Sequence, residues 1–309
     1  MRIFELPAIR HSLVYSEMVD LMRSALIAQF RGECETPMPM HLDIAAEKAE
    51  VHMKSSYRRG GRYFALKIAS TFPGNVVRGL STGNGMMLLA SAETGEPVAL
   101  LADAGLLTDV RTAAAAAMVA RELQRKDRAL GIVGTGVQAR LQAQMHATIL
   151  PSDEIWIWGR EAARAEDCRR DLASLIPHAK VAVAASPTEI ARRTRLIVTA
   201  TGSRQAILTA DDIQPGTHIS AVGADSPGKQ ELDPAILKRA ALLLADSRRQ
   251  CETLGELQHA RSEWERAREI GEFCLKPQAL DPDAITVCDF TGLGVEDLYI
   301  AEYCYERSL

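Results

Sequence analysis

The second half of the chain alternates short apolar segments with longer segments of mixed polarity, and this rhythm limits the possible folds more than any other feature. The apolar segments are 129–133, 154–158, 180–184, 196–200, 218–222, 241–245 and 285–289. Stretches of helical character separate most of them, and a further helix is predicted at 294–307. Short buried strands joined by crossover helices are typical of a doubly wound parallel sheet, so we predict an α/β fold here.

The N-terminal part has a different pattern. Residues 12–31 carry apolar side chains near helical spacing, whereas residues 42–103 are predicted to form strands with turns at "RRGG" and "AETGEP". From Thr108 the alanine-rich segment "TDVRTAAAAAMVARELQRKD" has high helix propensity. This part is therefore predicted to be an α+β domain rather than a continuation of the parallel sheet.

Composition excludes several classes of protein. The chain has 309 residues and a net charge of −4, so it is long enough for about two domains and has no basic excess for nucleic acid. Six scattered cysteines without C-x-x-C spacing predict neither a disulfide framework nor a zinc site, which is typical of a reducing cytoplasm. The start "RIFELPAIRHSL" is too charged for a signal peptide, and no apolar run reaches the length of a membrane span.

The strongest local motif is Gly134-x-Gly136-x-x-Ala139, between a predicted strand and a predicted helix. The first glycine permits a tight turn, the second lets the backbone approach a pyrophosphate, and the small third residue lets the helix pack on the strand. We therefore predict a dinucleotide site, with a chance glycine turn as the alternative. The predicted contacts are Gly134, Thr135, Gly136, Val137 and Gln138.

The next strand ends at Trp158, where an acid would indicate NAD and an arginine NADP. Arg160 stands near this place, so NADP(H) is the preferred prediction, although Glu161 follows directly and leaves NAD(H) possible. Thr201, in the small-residue segment after the fourth strand, is a further predicted cofactor contact.

Three charged residues are candidates for catalysis. Asp225 follows the strand "HISAV", where ligands of open α/β sheets bind, so it can move a proton; a turn aspartate is the alternative. Lys67 lies at the centre of an apolar strand and Arg111 near the start of a helix, two positions where a cation is unfavourable without a partner. Each residue alone is more often structural, which is the alternative, but together they could bind an α-carboxylate.

Other polar residues give weaker signals. Glu256 and His259 have i, i+3 spacing but no third ligand, so no metal site is predicted there. His52 is expected on a strand face, and the cysteines are expected to be buried or inert.

The segments "LTDVRTAAAAA", "GIVGTGVQA", "VGADSPGKQELDP" and "DFTGLGVEDLYIA" together resemble the ornithine cyclodeaminase/mu-crystallin family over nearly the whole chain. The resemblance implies a Rossmann domain, residues 116–290, inserted into a dimerisation and substrate-binding domain of residues 1–115 and 291–309. It also implies a homodimer that acts on a small α-imino or α-amino acid with NAD(H) or NADP(H).

The same resemblance implies roles for individual residues. Asp225 resembles the family's acid/base, Lys67 and Arg111 resemble its carboxylate binders, and Thr112 resembles a cofactor contact. Lys229 resembles a residue that positions the acid or the cofactor.

Two positions depart from the pattern of the cyclodeaminases. Pro39-Met40, with His41 next, replaces a Pro-Arg pair, and Val51 replaces the glutamate that binds the distal amine of ornithine. These departures favour a reductase or dehydrogenase for α-imino or α-amino acids. Ornithine cyclodeaminase and a non-catalytic NADP-dependent binding protein remain as alternatives. The segments "EVHMKSSY" and "FALKIASTF" also resemble the ectoine-utilisation branch of the family.

Overall fold

The computed structural model describes residues 1–307, and the chain divides into two compact units. The first unit comprises Met1–Arg111 and Leu293–Leu309, and the second comprises Thr112–Gly292. The second unit is therefore continuous in sequence, whereas the first is built from both ends of the chain.

The first unit begins with strands and helices in alternation and continues with a long antiparallel meander. Its strands are β1 (Arg2–Glu5), β2 (Cys34–Glu35), β3 (Met40–Ile44), β4 (Ala49–Arg58), β5 (Tyr63–Thr71), β6 (Gly83–Ser91) and β7 (Pro97–Ala102). The helices are α1 (Leu6–Ser12), α2 (Tyr15–Phe30) and α3 (Leu106–Glu122), of which the last continues into the second unit. The predicted helix at 12–31 is α2, which begins only at Tyr15 because Leu13 and Val14 are extended, and α1 was not predicted.

The seven strands form one sheet in the order β1-β7-β6-β5-β4-β2, with β3 also paired to β4. Only β1 and β7 are parallel, and the other pairs are antiparallel. In the β4–β5 hairpin Lys54 lies directly opposite Lys67, so these two side chains project from the same face of the sheet.

The second unit has the alternating organisation that the sequence predicts. Its strands are β8 (Ala129–Val133), β9 (Glu154–Trp158), β10 (Lys180–Val183), β11 (Leu196–Thr199), β12 (Arg204–Leu208), β13 (His218–Ala221), β14 (Gln230–Leu232), β15 (Leu242–Ala245), β16 (Arg268–Glu269) and β17 (Thr286–Asp289). Its helices are α4 (Val137–Ile149), α5 (Ala162–Leu175), α6 (Pro187–Arg193), α7 (Pro234–Arg239) and α8 (Ile270–Leu275).

Eight of these strands form a parallel sheet in the order β10-β9-β8-β11-β13-β17-β15-β16, while β12 and β14 pair separately. The central strands are buried along their whole length, as expected for a sheet with helices on both faces. The strand order reverses between β8 and β11, and ligands of such sheets bind at this switch point. The predicted α/β fold class is therefore confirmed.

The chain ends in the first unit with α9 (Gly294–Arg307), which has the predicted bounds. This helix packs against α2 and against β4, β5 and β6. Gly294 lies so close to the sheet that a Cβ atom would be 2.4 Å from the carbonyl oxygen of Ser55, so only glycine permits this approach.

The buried imidazole of His218 and the six cysteine thiols belong to the packed core. The imidazole of His218 contacts Thr286 Oγ1 at 2.8 Å and Ser220 Oγ at 3.0 Å, and burial lowers its pKa well below the usual range. All six cysteines are buried free thiols, as expected. None of the helices in residues 1–307 is long and apolar enough to cross a membrane.

Candidate active site

The predicted dinucleotide turn lies directly after β8. Gly134 has a φ of 141°, and a Cβ atom on it would be 2.5 Å from the carbonyl oxygen of Ala200, so no other residue fits. Gly136 caps the N-terminus of α4, and a Cβ on it would meet no atom within 4 Å. Ala139 is completely buried, as expected for close packing of the helix on the sheet.

A cleft of about 260 Å³ surrounds this turn. It is formed by the loops that follow β8, β9 and β11, at the switch point of the sheet. Its lining includes Gly134, Thr135, Gly136, Gly159, Arg160, Glu161, Arg164, Thr201 and Ser203. The open position at Gly136 and the N–H groups at the start of α4 fit a dinucleotide, whose pyrophosphate needs close backbone approach and hydrogen-bond donors. Val137, Gln138 and Thr112 are not among the residues that line this cleft.

The part of the cleft that follows β9 carries two arginines. Arg160 and Glu161 both line it, as the sequence predicts, and both are exposed. Arg164, one turn further along the chain, forms a 3.6 Å ion pair with Glu161. Arg164 was not predicted from the sequence, although its position one helical turn after Glu161 is a visible signal.

Glu231 is completely buried beneath the loops that form this cleft. Its carboxylate accepts hydrogen bonds from Thr199 Oγ1 at 2.7 Å, from Thr201 N and Oγ1 at 2.6 and 2.7 Å, and from Gly223 N at 2.9 Å. Burial raises the pKa of Glu231, while the hydrogen bonds from Thr201 and Thr199 act in the opposite direction. One side chain therefore joins the loop after β11 to the loop after β13.

Further carboxylates continue this support along the edge of the sheet. Glu256 accepts the N–H groups of Glu231 and Leu232, and Asp289 accepts those of Glu256 and Leu257. Burial raises the pKa of Asp289 to about 7 and that of Glu256 well above its usual range. Glu256 is thus a structural residue of the loop.

Asp225 and Lys229 meet in the loop that follows β13. Lys229 Nζ lies 2.8 Å from Asp225 Oδ1, which also accepts a 3.1 Å hydrogen bond from Ser226 Oγ. The Asp225 side chain is 49% exposed, whereas that of Lys229 is 15% exposed. His259 Nε2 contacts the carbonyl oxygen of Lys229 at 2.9 Å, so this histidine supports the backbone of the loop. The loop therefore presents an acid at its surface and holds it with a more deeply seated ammonium group.

In the first unit Lys67 and Arg111 lie in one buried ionic cluster. Lys67 is 2% exposed, and its Nζ lies 3.1 Å from Asp297 Oδ2. Arg111 contacts Glu296 at 2.9 Å and Asp297 at 3.2 Å. The expectation that both cations need partners is confirmed, but the partners Glu296 and Asp297 were missed. Acids in the first turn of a helix are ordinary, so their position on α9 concealed this role.

Burial dominates the electrostatics of Lys67 and lowers its pKa to about 7, although the adjacent carboxylate of Asp297 opposes this shift. Arg111 and the buried Lys54 lower the pKa of Lys67 further, and Asp297 raises it. Asp103, the next buried acid, accepts the N–H of Leu107 at 2.7 Å, and burial raises its pKa.

Strand register decides which residues share the face of Lys67. Val51 pairs with Leu42 and Ser70, one residue out of phase with Lys54, so it projects from the opposite face. Met40 lies opposite Met53 and is on that same far face. Met40 and Val51 therefore project from the face of the sheet opposite to that of Lys67. His41, Glu50 and His52 lie on the Lys67 face instead.

An α/β unit with a glycine turn at its switch point and an acid beyond a neighbouring strand defines a nicotinamide-dinucleotide enzyme of the Rossmann type. The family described as ornithine cyclodeaminase/mu-crystallin matches residues 5–309, and the chain belongs to it. A putative dehydrogenase of Rhizobium meliloti is 40% identical over 94% of this chain and 91% of its own length.

Two solved structures are similar over nearly the whole chain. An archaeal alanine dehydrogenase dimer with bound NAD has a TM-score of 0.90 and 29% identity, covering 99% of this chain and 95% of the other. The iminosuccinate reductase of Paracoccus denitrificans with NAD⁺ has a TM-score of 0.85 and 25% identity, covering 99% and 96%. The predicted family and the class of nicotinamide-dependent oxidoreductases are confirmed.

Proposed function

We propose that this protein reduces a small α-imino acid with a nicotinamide cofactor, or oxidises the corresponding α-amino acid. The observation that carries the proposal is the convergence of Lys67 and Arg111 on one carboxylate, that of Asp297, with Lys54 on the same face of the sheet. Two cations brought together in this way form a binding site for an anion, and an α-carboxylate is such an anion.

In this proposal Lys67 and Arg111 bind the substrate carboxylate and fix the orientation of the C=N bond. Arg111 offers a planar guanidinium for two hydrogen bonds, while Asp297 and Glu296 hold both cations in place. Such fixed orientation contributes to the rate because it replaces a search in solution by a bound geometry.

Asp225 supplies the proton. A nicotinamide held in the cleft would supply the hydride that the imine carbon takes up, and the Asp225 carboxyl gives its proton to the nitrogen, so that C=N becomes HC–NH. Lys229, 2.8 Å from Asp225 Oδ1, then stabilises the carboxylate that remains. The partial exposure of Asp225 lets solvent return the proton.

The residues proposed to hold the cofactor are the turn Gly134–Gly136 and the loop residue Thr201, with Arg160 for a 2′-phosphate. Thr112, Val137 and Gln138 stay predicted contacts. NADP(H) is the proposed preference because Arg160 and Arg164 offer two cations against Glu161 alone. The free buried thiols suit a reducing compartment, so we propose a cytoplasmic enzyme.

The ornithine cyclodeaminase alternative needs a carboxylate for the distal ammonium. Because Glu50 lies on the Lys67 face, the replacement of a glutamate by Val51 is no argument against ornithine. The convergence of Lys67 and Arg111 favours a substrate whose main recognised group is its carboxylate, so we retain the reductase.

For the reaction itself, we expect NADPH oxidation with at least one member of a panel that contains Δ1-pyrroline-2-carboxylate and pyruvate with ammonia. Asp225→Asn keeps the shape but removes the proton, so turnover should fall about 10²–10⁴-fold with cofactor affinity retained. Asp211→Asn, at an exposed acid, is the matched control and should be unaffected. Ammonia release from ornithine without net cofactor change would identify a cyclodeaminase instead.

For carboxylate binding, the pKa of about 7 for Lys67 predicts a pH dependence. Only the ammonium form attracts a carboxylate, so affinity for pyrrole-2-carboxylate should fall as the pH rises through this value, by up to about tenfold per unit. Calorimetry of the NADPH-loaded enzyme measures this, and proton uptake on binding should appear near neutral pH. Lys67→Met should bind weakly with no such slope. A constant wild-type affinity across this pH range would refute the role of Lys67.

For cofactor choice, Arg160→Ala should weaken NADPH binding by about 1.5–3 kcal/mol, the scale of a lost hydrogen bond to a charged group, and leave NADH nearly unchanged. Fluorescence titration of both cofactors measures the difference. An equal loss for both cofactors, or a wild-type preference for NADH, would indicate that Glu161 and not Arg160 contacts the ribose of the cofactor.

For assembly, we propose a homodimer through the far face of the first unit's sheet. Leu66, Ile68 and Met86 are 42%, 43% and 44% exposed there, beside an apolar cleft of about 460 Å³. Adjacent exposed apolar side chains of this kind mark interaction surfaces. Light scattering should give the mass of two chains. Ile68→Glu should give monomers, whereas Leu175→Glu, at an exposed leucine of the second unit, should not. A monomeric wild type would contradict this interface.

A further inference from the structure

Four polar residues lie together on the Lys67 face at one end of the sheet. His41 on β3 lies directly opposite His52 on β4, and Asp43 lies directly opposite Glu50. Alternate residues of a strand project from the same face, so all four side chains share it. We call these residues the hairpin cluster. The potential ligand atoms of His41, Glu50 and His52 all lie within 4.8 Å of one another.

In the hairpin cluster, only one of the two ring nitrogens of His41 has a hydrogen-bond partner in the described part of the chain. Its Nε2 lies 3.0 Å from Asp43 Oδ1, and the side chain of His41 is only 27% exposed. Its Nδ1 is buried and has no hydrogen-bond partner among residues 1–307. A neutral imidazole that donates from Nε2 to a carboxylate carries its lone pair on Nδ1. A buried lone pair of this kind is satisfied by a donor or by a cation.

The other two members complete a set of ligands of one chemical type. Glu50 Oε2 lies 3.7 Å from His52 Nε2, and both side chains are largely buried, at 16% and 14% exposure. The rings of His41 and His52 meet edge to face with their centroids 4.7 Å apart. Two imidazoles and one carboxylate, with a further carboxylate behind one imidazole, form the arrangement by which proteins hold zinc-like ions.

We propose that the hairpin cluster binds a divalent transition-metal ion, with Zn²⁺ as the best match. His41 Nδ1, His52 and Glu50 are the ligands, and Asp43 orients the ring of His41. Ligand atoms around tetrahedral zinc are about 3.4 Å apart, given bonds of roughly 2.0–2.1 Å. The present separations of up to 4.8 Å therefore need only small side-chain rotations to close. Mg²⁺ and Ca²⁺ prefer oxygen ligands and suit this cluster less well.

An ion in the hairpin cluster would lie close to Lys67, which is part of the proposed substrate site. His52 lies two residues before Lys54, which is opposite Lys67, so the cluster is about 7 Å along the same face, at roughly 3.3 Å per residue. Three protein ligands leave a coordination position for water or for a heteroatom of a bound molecule. An ion here would also engage Glu50 and so remove the carboxylate that a distal ammonium would need.

Zinc binding to the tag-free, chelator-treated full-length protein tests this inference. Calorimetry and metal analysis after dialysis should give one Zn²⁺ per chain, and Co²⁺ should show the visible absorption of a tetrahedral site. His52→Ala and His41→Ala should each weaken binding at least about 100-fold, and Asp43→Asn about 10–100-fold, as for an orienting carboxylate. Glu50→Gln should weaken it similarly, because it removes a ligand charge.

The controls separate loss of the site from loss of the fold. His178→Ala, at an exposed histidine of the second unit, should bind Zn²⁺ like the wild type. Each variant should keep its circular dichroism and its NADPH affinity, which reports the second unit. Substoichiometric binding by the wild type, or binding that survives the loss of both His41 and His52, would overturn the proposal.

Discussion

Buried carboxylates fix the positions of two loops in the second unit and of two buried cations in the first. In the second unit Glu231 binds the loops after β11 and β13, Glu256 binds the chain at Glu231, and Asp289 binds the chain at Glu256. In the first unit Glu296 and Asp297 hold Arg111 and Lys67. Removal of one partner from such a buried pair costs about 3–5 kcal/mol, because the remaining charge or donor stays without compensation.

This arrangement explains how the loops at the carboxyl ends of the parallel strands are held. Backbone N–H groups at the carboxyl ends of parallel strands need acceptors, and an acid from the next segment supplies them. The loops after β11 and β13, the second of which carries Asp225, are held in this way. Rigid support of this kind favours hydride and proton transfer, which both require fixed distances.

The sequence predicted seven of the ten strands of the second unit, the final helix and the dinucleotide turn because each has a local signal: apolar runs, helical spacing and glycines at fixed offsets. The short strands β12, β14 and β16 lack such a signal and were not predicted. It also predicted that Lys67 and Arg111 need partners. It did not identify Glu231, Glu296 or Asp297, since each looks like a common turn or helix-start acid when only its neighbours in sequence are visible.

The sequence by itself determined the family, the two-part organisation and the type of cofactor turn, because these depend on periodicity and short motifs. Only the tertiary structure decided which residues face Lys67. A shift of one residue in strand register exchanges the two faces of a sheet, and no local pattern fixes the register of β3, β4 and β5. Val51 and Met40 consequently lie on the far face, while His41, Glu50 and His52 share the face of the buried lysine.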